Sequence, residues 1–354
     1  MSGGGDWSSL PVDLLEQVAD RLSSSERDLI HVRQICAHWR HSVTSRPAAP
    51  YRPWIVAGGA SPHSRGPSGE YALCLPLGGR RRVEVSGPPG LPYCCGTPRG
   101  WLALRDHEWW PSRLVLWEPS SGAEVELPRL RGVDVQIFLS DDPRAPGWVA
   151  VATHGDNNIF CWRPGLAAWS VLLTETVNSV AFHGGKMYCM HPRKIMRVYD
   201  LDYIPTAASS PPVLKLLSSR GYDGHATLRV VVCDGKPLIL LRHAVLPVFE
   251  VYRPDTGPCL GPPVELGERV TDLGSYSPFM GHVDADTFAL SADEFPEIKR
   301  NCVYYFDHVP REGAVVYHLG TEVLEWLPSP ELQDPAHKWG RVSWFCPLTP
   351  VLLK

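Results

Sequence analysis

Leu114-Val-Leu-Trp117-Glu-Pro-Ser-Ser-Gly122-Ala-Glu-Val-Glu-Leu-Pro128 carries the pattern from which the architecture follows. A short run of branched apolar residues ends in an aromatic, a Pro/Ser/Gly turn follows, and a second run alternates apolar with acidic residues. That is the signature of a hairpin whose outer strand shows one face to water. The theme returns with altered turns. Val248-Phe-Glu-Val-Tyr252-Arg-Pro-Asp-Thr-Gly257, Asn158-Ile-Phe-Cys-Trp162-Arg-Pro-Gly165, Met196-Arg-Val-Tyr199-Asp-Leu and Val315-Val-Tyr317-His-Leu-Gly320 keep the strand. The aromatics Trp117, Trp162, Tyr199, Tyr252 and Tyr317 stand 45, 37, 53 and 65 residues apart. Two repeats also open with a tight hairpin, Val180 to Tyr188 around Gly184-Gly185 and Val230 to Ile239 around Asp234-Gly235. Such dipeptides supply the positive φ that two-residue turns need.

A period of about 45 residues is that of a four-stranded propeller blade. The chain has 354 residues with 35 Pro, 31 Gly and 13 Trp, and no long amphipathic helix is legible after residue 47. The expected class is therefore α + β and multidomain: a small helical module, then an all-β propeller of about six blades, with five or seven also allowed. A single blade cannot cover both of its faces, whereas a ring of blades does so and leaves only short edges. Trp54-Ile-Val and Val342-Ser-Trp-Phe-Cys346 are the strands expected to close the ring. A β-sandwich pair is the competing architecture and explains the repeat less well. Residues 1–46 are assigned to the helical module, 47–70 to a linker and loop carrying the first propeller strand, and 71–354 to the propeller. Gly58 to Gly69 and Ala207 to Pro212 read as surface loops by composition.

The N-terminal module spans Trp7 to Arg46. Leu10-Pro11 opens a helix on which Leu14, Leu15, Val18 and Leu22 form one apolar stripe at helical period. Proline is tolerated there because its missing N–H would be unpaired anyway. Ser23 with Glu26 three residues later is a capping-box pattern for the next helix, along which Leu29, Val32, Cys36, Trp39 and Val43 share a face. Ser45-Arg46-Pro47 ends it. So small a unit cannot bury all its own apolar surface and needs a partner for it.

Leu10-Pro11, Leu14-Leu15, Val18, Leu22 and the closing Ile35-Cys36-x-x-Trp39-Arg40 together resemble an F-box. The three-helix F-box holds a substrate adaptor on a Skp–cullin ubiquitin ligase. The resemblance implies that Leu10, Pro11, Leu14, Leu15, Val18, Leu22, Ile35, Cys36 and Trp39 lie at or beneath the interface with a Skp-type adaptor, and through it a cullin. Trp39 is the leading anchor. The alternative is a helical cap packed on the rest of the chain, with Trp39 in its core. Further along, Arg52-Pro-Trp-Ile-Val, Cys94-Cys-Gly-Thr-Pro-Arg-Gly-Trp-Leu102 and the long block Leu273 to Phe306 resemble a large plant F-box family. Its C-terminal part is a kelch-like propeller of the KIB type. Trp117-Glu-Pro departs from that family's more frequent Asn-Pro. The resemblance implies a substrate-recognition adaptor whose propeller binds a protein substrate. The other outcome is a propeller scaffold or sequestering protein whose F-box does not engage the adaptor.

Charge and motifs narrow the classes. Net charge is −4, with 34 Lys+Arg against 38 Asp+Glu, so no nucleic-acid footprint is expected. Arg80-Arg81-Arg82 reads as a solvated turn. No apolar run reaches membrane-spanning length, and no secretory signal is expected. Ten cysteines without Cys-x-x-Cys spacing read as free thiols of a reducing compartment, cytoplasm or nucleus. The vicinal Cys94-Cys95 pair is read as strand residues rather than a redox pair. Asp284, Asp286 and His282 lack the further ligands a calcium or zinc site needs. No metal or cofactor is expected. Phosphate-loop, Gly-x-Ser-x-Gly and His-Glu-x-x-His patterns are absent, and His31, His38 and His41 read as surface residues. The pairs Asp141-Asp142 and Glu294/Glu297 read as turn chemistry rather than the facing carboxyls of a glycosidase. No enzymatic activity is expected.

Overall fold

The structure, a computed structural model, describes residues 10–22, 39, 53–58, 70–75, 81–107, 111–119, 121–132, 135–154, 158–173, 176–191, 196–203, 226–243, 248–254, 267–281, 287–306, 313–328 and 341–346. Among the described residues the helix α1 (Val12–Leu22) is followed by 24 strands. Its first turn is closed by the N–H groups of Leu14 and Leu15 donating to Pro11 O, both at 3.1 Å. Proline thus opens the helix as its geometry favours. Of the later helix expected in the module, the described part is Trp39, which is helical. The Ser23/Glu26 capping box, Ile35 and Cys36 lie outside the described residues.

The described strands form six sheets. The first holds β1 (Trp54–Gly58), β2 (Glu70–Leu75), β3 (Arg81–Ser86) and β24 (Arg341–Phe345), in the order β24-β1-β2-β3. The second runs in chain order through β4 (Tyr93–Gly96), β5 (Leu102–Arg105), β6 (Ser112–Glu118) and β7 (Ala123–Leu130). In the third, β8 (Gln136–Leu139), β9 (Ala150–His154), β10 (Asn158–Trp162) and β11 (Ser170–Leu173) do the same. The fourth comprises β12 (Ser179–His183), β13 (Lys186–Met190) and β14 (Met196–Asp200). The fifth has β15 (Thr227–Cys233), β16 (Lys236–Arg242), β17 (Phe249–Arg253) and β18 (Glu268–Val270). The last is built from β19 (Tyr276–Met280), β20 (Thr287–Ser291), β21 (Cys302–Phe306), β22 (Gly313–His318) and β23 (Leu324–Pro328), in the order β20-β19-β21-β22-β23.

Neighbouring sheets bury their apolar faces against each other, and the succession closes on itself. Trp54 and Phe345 of the first sheet pack with Leu102 and Val115 of the second. Ala103 and Leu116 of the second meet Ile137 and Ala150 of the third. Val151 and Cys161 of the third meet Met187 and Tyr199 of the fourth. Met190 packs with Val230 and Ile239 of the fifth, and Leu240 and Val251 with Val303 and Val315 of the last. Phe279 and Tyr304 of the last sheet then return to Ile55 and Trp344 of the first. Each sheet is sandwiched on both faces, so its middle strands carry uninterrupted apolar runs rather than alternation; Cys302–Phe306 is buried at every position. The result is a β-propeller.

Ring closure uses the two strands singled out from the sequence: β1 and β24 pair antiparallel, with Trp54 opposite Phe345 and Ile55 opposite Trp344. The aromatics that marked the repeat are all buried. Trp117, Trp162, Tyr252 and Tyr317 each sit on the strand next to the outer edge of their sheet. The two tight hairpins are as the sequence suggested. Gly184 (φ 56°) and Gly185 (φ 72°) join β12 to β13, and Asp234 (φ 49°) and Gly235 (φ 66°) join β15 to β16. Both central residues with positive φ match the right-handed strand twist. The expectation for Arg80-Arg81-Arg82 needs correction: Arg81 and Arg82 open strand β3, opposite Leu75 and Cys74, and are not a turn. Arg80 lies outside the described residues.

The 273–306 block has a structural cause for its specificity. It carries a parallel pairing, β19 with β21, in a sheet otherwise antiparallel, and the returning turns are held by side chains. Ser277 Oγ donates to Lys299 O at 2.6 Å and accepts from Cys302 N at 3.1 Å. Asn301, at φ 56°, accepts from Leu273 N and donates to Thr271 O. The Tyr304 hydroxyl accepts from Lys299 N at 2.8 Å. Asp293-Glu-Phe-Pro is a turn in which Glu294 and Phe295 N–H groups both donate to Ser291 O.

Candidate functional site

The exposed apolar part of α1 is the first candidate. Leu15 is fully buried, whereas Val12, Leu14 and Val18 are 47 %, 43 % and 38 % exposed. The single stripe read from the sequence is therefore split. Leu14 and Val18, one turn apart, share an outward arc with the exposed Pro11 and Arg21, while Leu15 turns inward. Leu10 is half-buried, and the side chain of Leu22 lies outside the described set. Trp39 is 7 % exposed. Leu15 and Trp39 are thus the buried members of the set expected at or beneath the interface, and Leu14 and Val18 the exposed ones.

The second candidate is a cavity of about 410 Å³ where the inner strands of all six sheets converge. Its walls come from the segment after β4, from β8, β12, β15 and β20, and from Cys346 after β24. Close approach at this ring is why residue 96 is glycine: a Cβ there would lie 2.8 Å from Ile137 O on the neighbouring inner strand.

The carboxylate pairs do not face one another across this cavity. Asp142 is engaged by Arg144, whose Nη2 lies 2.7 Å from Asp142 Oδ2. Burial pushes that carboxyl up, but the hydrogen bonds and charge of Arg144 outweigh it and leave it below its usual range. Arg144 also reaches Glu118 Oε2 at 3.3 Å and covers the Trp101 ring at 5.6 Å, so it pins the 141–144 turn to the second sheet. Asp141 Oδ1 accepts from Asp142 N, an ordinary turn role. Glu294 is exposed on the turn after β20, and Glu297 is half-buried. His31, His38, His41, His282, Asp284 and Asp286 lie outside the described residues. Among the described residues no cluster of His, Cys, Asp or Glu could hold a metal, and no helix is long and apolar enough to cross a membrane.

One constellation escaped the sequence. Cys302 Sγ lies 3.3 Å from His318 Nδ1, and His318 Nε2 lies 3.4 Å from Glu325 Oε2. The three stand on adjacent strands β21, β22 and β23, the order of parts in a cysteine nucleophile site. Glu325 is also paired with Lys299, which first among its partners holds its carboxyl below the usual range. A nucleophile requires an accessible thiolate. Cys302 is fully buried, donates to Arg300 O at 3.2 Å, and has its thiol pushed up to about 11 by burial. No local pattern could have revealed this group, since only strand register brings residues 302, 318 and 325 together. The free thiols Cys161, Cys233 and Cys302 share this fate: burial raises them to about 11, 12 and 11. In native protein at about pH 8 they should resist a dithiobis(nitrobenzoate) reagent and react at once in urea; peptide mapping that found Cys302 modified in the native state would refute the burial. Cys94 and Cys95 are unlinked strand residues, with Cys95 Sγ donating to Ala103 O.

Sequence comparison bears on both candidates. A model of the KIB1-4 beta-propeller family matches residues 75–318, which covers more than half the chain. The chain belongs to this family. An F-box domain model matches residues 7–48. An F-box/kelch-repeat protein of Arabidopsis thaliana is 22% identical over 349 residues, covering 90% of this chain and 91% of that protein. A putative F-box protein of the same plant is 34% identical over 148 residues, 39% of this chain and 37% of that one. Among solved structures a nidogen/laminin complex superposes with a TM-score of 0.43 at 9% identity, covering 83% of this chain and 96% of that one. The propeller assignment rests on the strand order and the family, not on that likeness. Membership in an F-box/propeller family implies an adaptor rather than an enzyme.

Proposed function

We propose that this chain is the substrate-recognition adaptor of a Skp–cullin–F-box ubiquitin ligase. Residues 1–46 dock on the Skp-type adaptor, residues 47–70 carry the linker and first propeller strand, and residues 71–354 form a propeller that holds a protein substrate. Each of the six sheets is one blade. The observation that carries the adaptor reading is the coexistence of an F-box match with an exposed apolar arc at Leu14 and Val18 on the helix that opens it. Pro11 and Leu10 adjoin the arc along the chain, and Leu15, Leu22, Ile35, Cys36 and Trp39 complete the set assigned at or beneath the interface. The chain contributes proximity: holding a substrate near the ubiquitin-loaded partner raises its effective concentration without bond chemistry by any residue here. Residence in the cytoplasm or nucleus, where such a ligase would work, is part of the same proposal.

The test is a pull-down of the full chain, and of a chain starting at Arg52, against a purified plant Skp adaptor. The expected result is capture of the full chain alone. Failure of both, with circular dichroism showing folded protein, would replace the ligase reading by a scaffold that does not engage the adaptor.

A further inference from the structure

The cavity at the centre of the ring has an uneven chemistry. Phe138, Phe182 and Phe288 contribute to walls that are otherwise largely aliphatic, while Arg99 and His183 are exposed and line the same space. No carboxylate is among the described lining residues. Arg99 is set with some care. It sits in a left-handed conformation (φ 49°, ψ 43°) between Pro98 and Gly100, a geometry costly for a side-chain-bearing residue and concentrated at functional sites. Its Nε donates to Leu139 O at 3.3 Å, which orients the guanidinium and leaves both Nη atoms without a partner among the described residues. Thr287 is among the lining residues, but its hydroxyl is itself buried away from the open space, with no hydrogen-bond partner among the described residues. A volume of about 410 Å³, apolar walls and a few convergent polar groups are the ordinary attributes of a small-molecule site.

We propose that this cavity binds a small organic anion with an aromatic body. The rings of Phe138, Phe182 and Phe288 take the body, and the free Nη donors of Arg99 pair with the anionic group, for whose carboxylate geometry a guanidinium is suited. His183 adds a second donor among the lining residues. The site belongs to the propeller alone and does not depend on the adaptor reading. Its position at the junction of all six sheets means that a bound ligand would tie their inner strands together.

The probe is 1-naphthoate, titrated into the full chain by calorimetry and followed by saturation-transfer NMR, beside 1-naphthylmethylammonium, which has the same ring system and the opposite charge. The naphthoate should bind and the ammonium should bind at least about tenfold more weakly. Arg99→Met should weaken naphthoate by about tenfold or more, and Arg99→Lys, which keeps the charge, by less. Raising salt from about 0.05 to about 0.5 M should weaken naphthoate binding to the parent chain, a reading that needs no variant to fold. Absence of naphthoate binding, equal binding of the two probes, or salt-independent binding would each overturn the proposal, as would a folded Arg99→Met that binds like the parent.

Discussion

Leu14→Glu combined with Val18→Glu should abolish capture by the Skp adaptor while leaving the propeller folded. Both positions are exposed in the isolated chain, and glutamate is a good helix former, so the substitution costs the module little. At an interface each would bury an uncompensated carboxylate against an apolar surface. Each single change should therefore weaken binding by about 2–4 kcal/mol, roughly 30- to 1,000-fold. Asp13→Ala, away from that arc, should bind as the parent does. The buried residues behave differently. Trp39→Phe keeps an apolar ring at a buried position and should bind nearly as well as the parent. Leu15→Ala opens a cavity and should act through stability, by about 2–5 kcal/mol. Surface plasmon resonance with the adaptor immobilised separates these classes. A folded double variant with parental affinity would show that α1 meets no adaptor through this arc.

The second large effect lies at the seam of the ring. Trp344→Ala should lower unfolding stability by about 3–5 kcal/mol, a large share of the 5–15 kcal/mol that holds a typical domain. Trp344 is fully buried. Its ring packs edge-on to Phe279 at 5.1 Å and Tyr304 at 6.1 Å, and stacks on Phe306 at 5.0 Å. It stands on β24 opposite Ile55 and so joins the last sheet to the first. Urea titration should show a lower midpoint with an unchanged slope if the ring stays one cooperative unit. A reduced slope would mean that the seam opens before the rest. A loss below about 1 kcal/mol would contradict this packing.

The last sheet also explains why the aromatic spacing stretches to 65 residues between Tyr252 and Tyr317. Trp117 to Trp162 takes in strands β7 to β10, four in all, whereas Tyr252 to Tyr317 takes in β18 to β22, one more. The extra strand comes from the β19–β20 hairpin and its parallel return. Short apolar runs marked strands here, but could not show that two of them run parallel: parallel and antiparallel pairing differ in hydrogen-bond partners across the sheet, not in local pattern.

Hairpin turns, buried aromatics and the closing strands were legible in the chain because each depends on local chemistry. Positive φ at Gly184-Gly185 and Asp234-Gly235, and the apolar runs around Trp54 and Trp344, are properties of a few consecutive residues. The helical stripe of α1 was legible in the same way, through its period. Which half of that stripe is covered was not, because burial is decided by what packs against a helix. Leu15 and Leu14 are neighbours in sequence and opposite in exposure. The Cys302–His318–Glu325 group depends on the register of β21 through β23. The meeting of Arg99, His183 and Thr287 depends on ring closure. Local sequence fixes what each strand and turn can be; the long-range stacking of sheets decides which side chains share a space, since closure brings together residues whose separation along the chain carries no periodic trace.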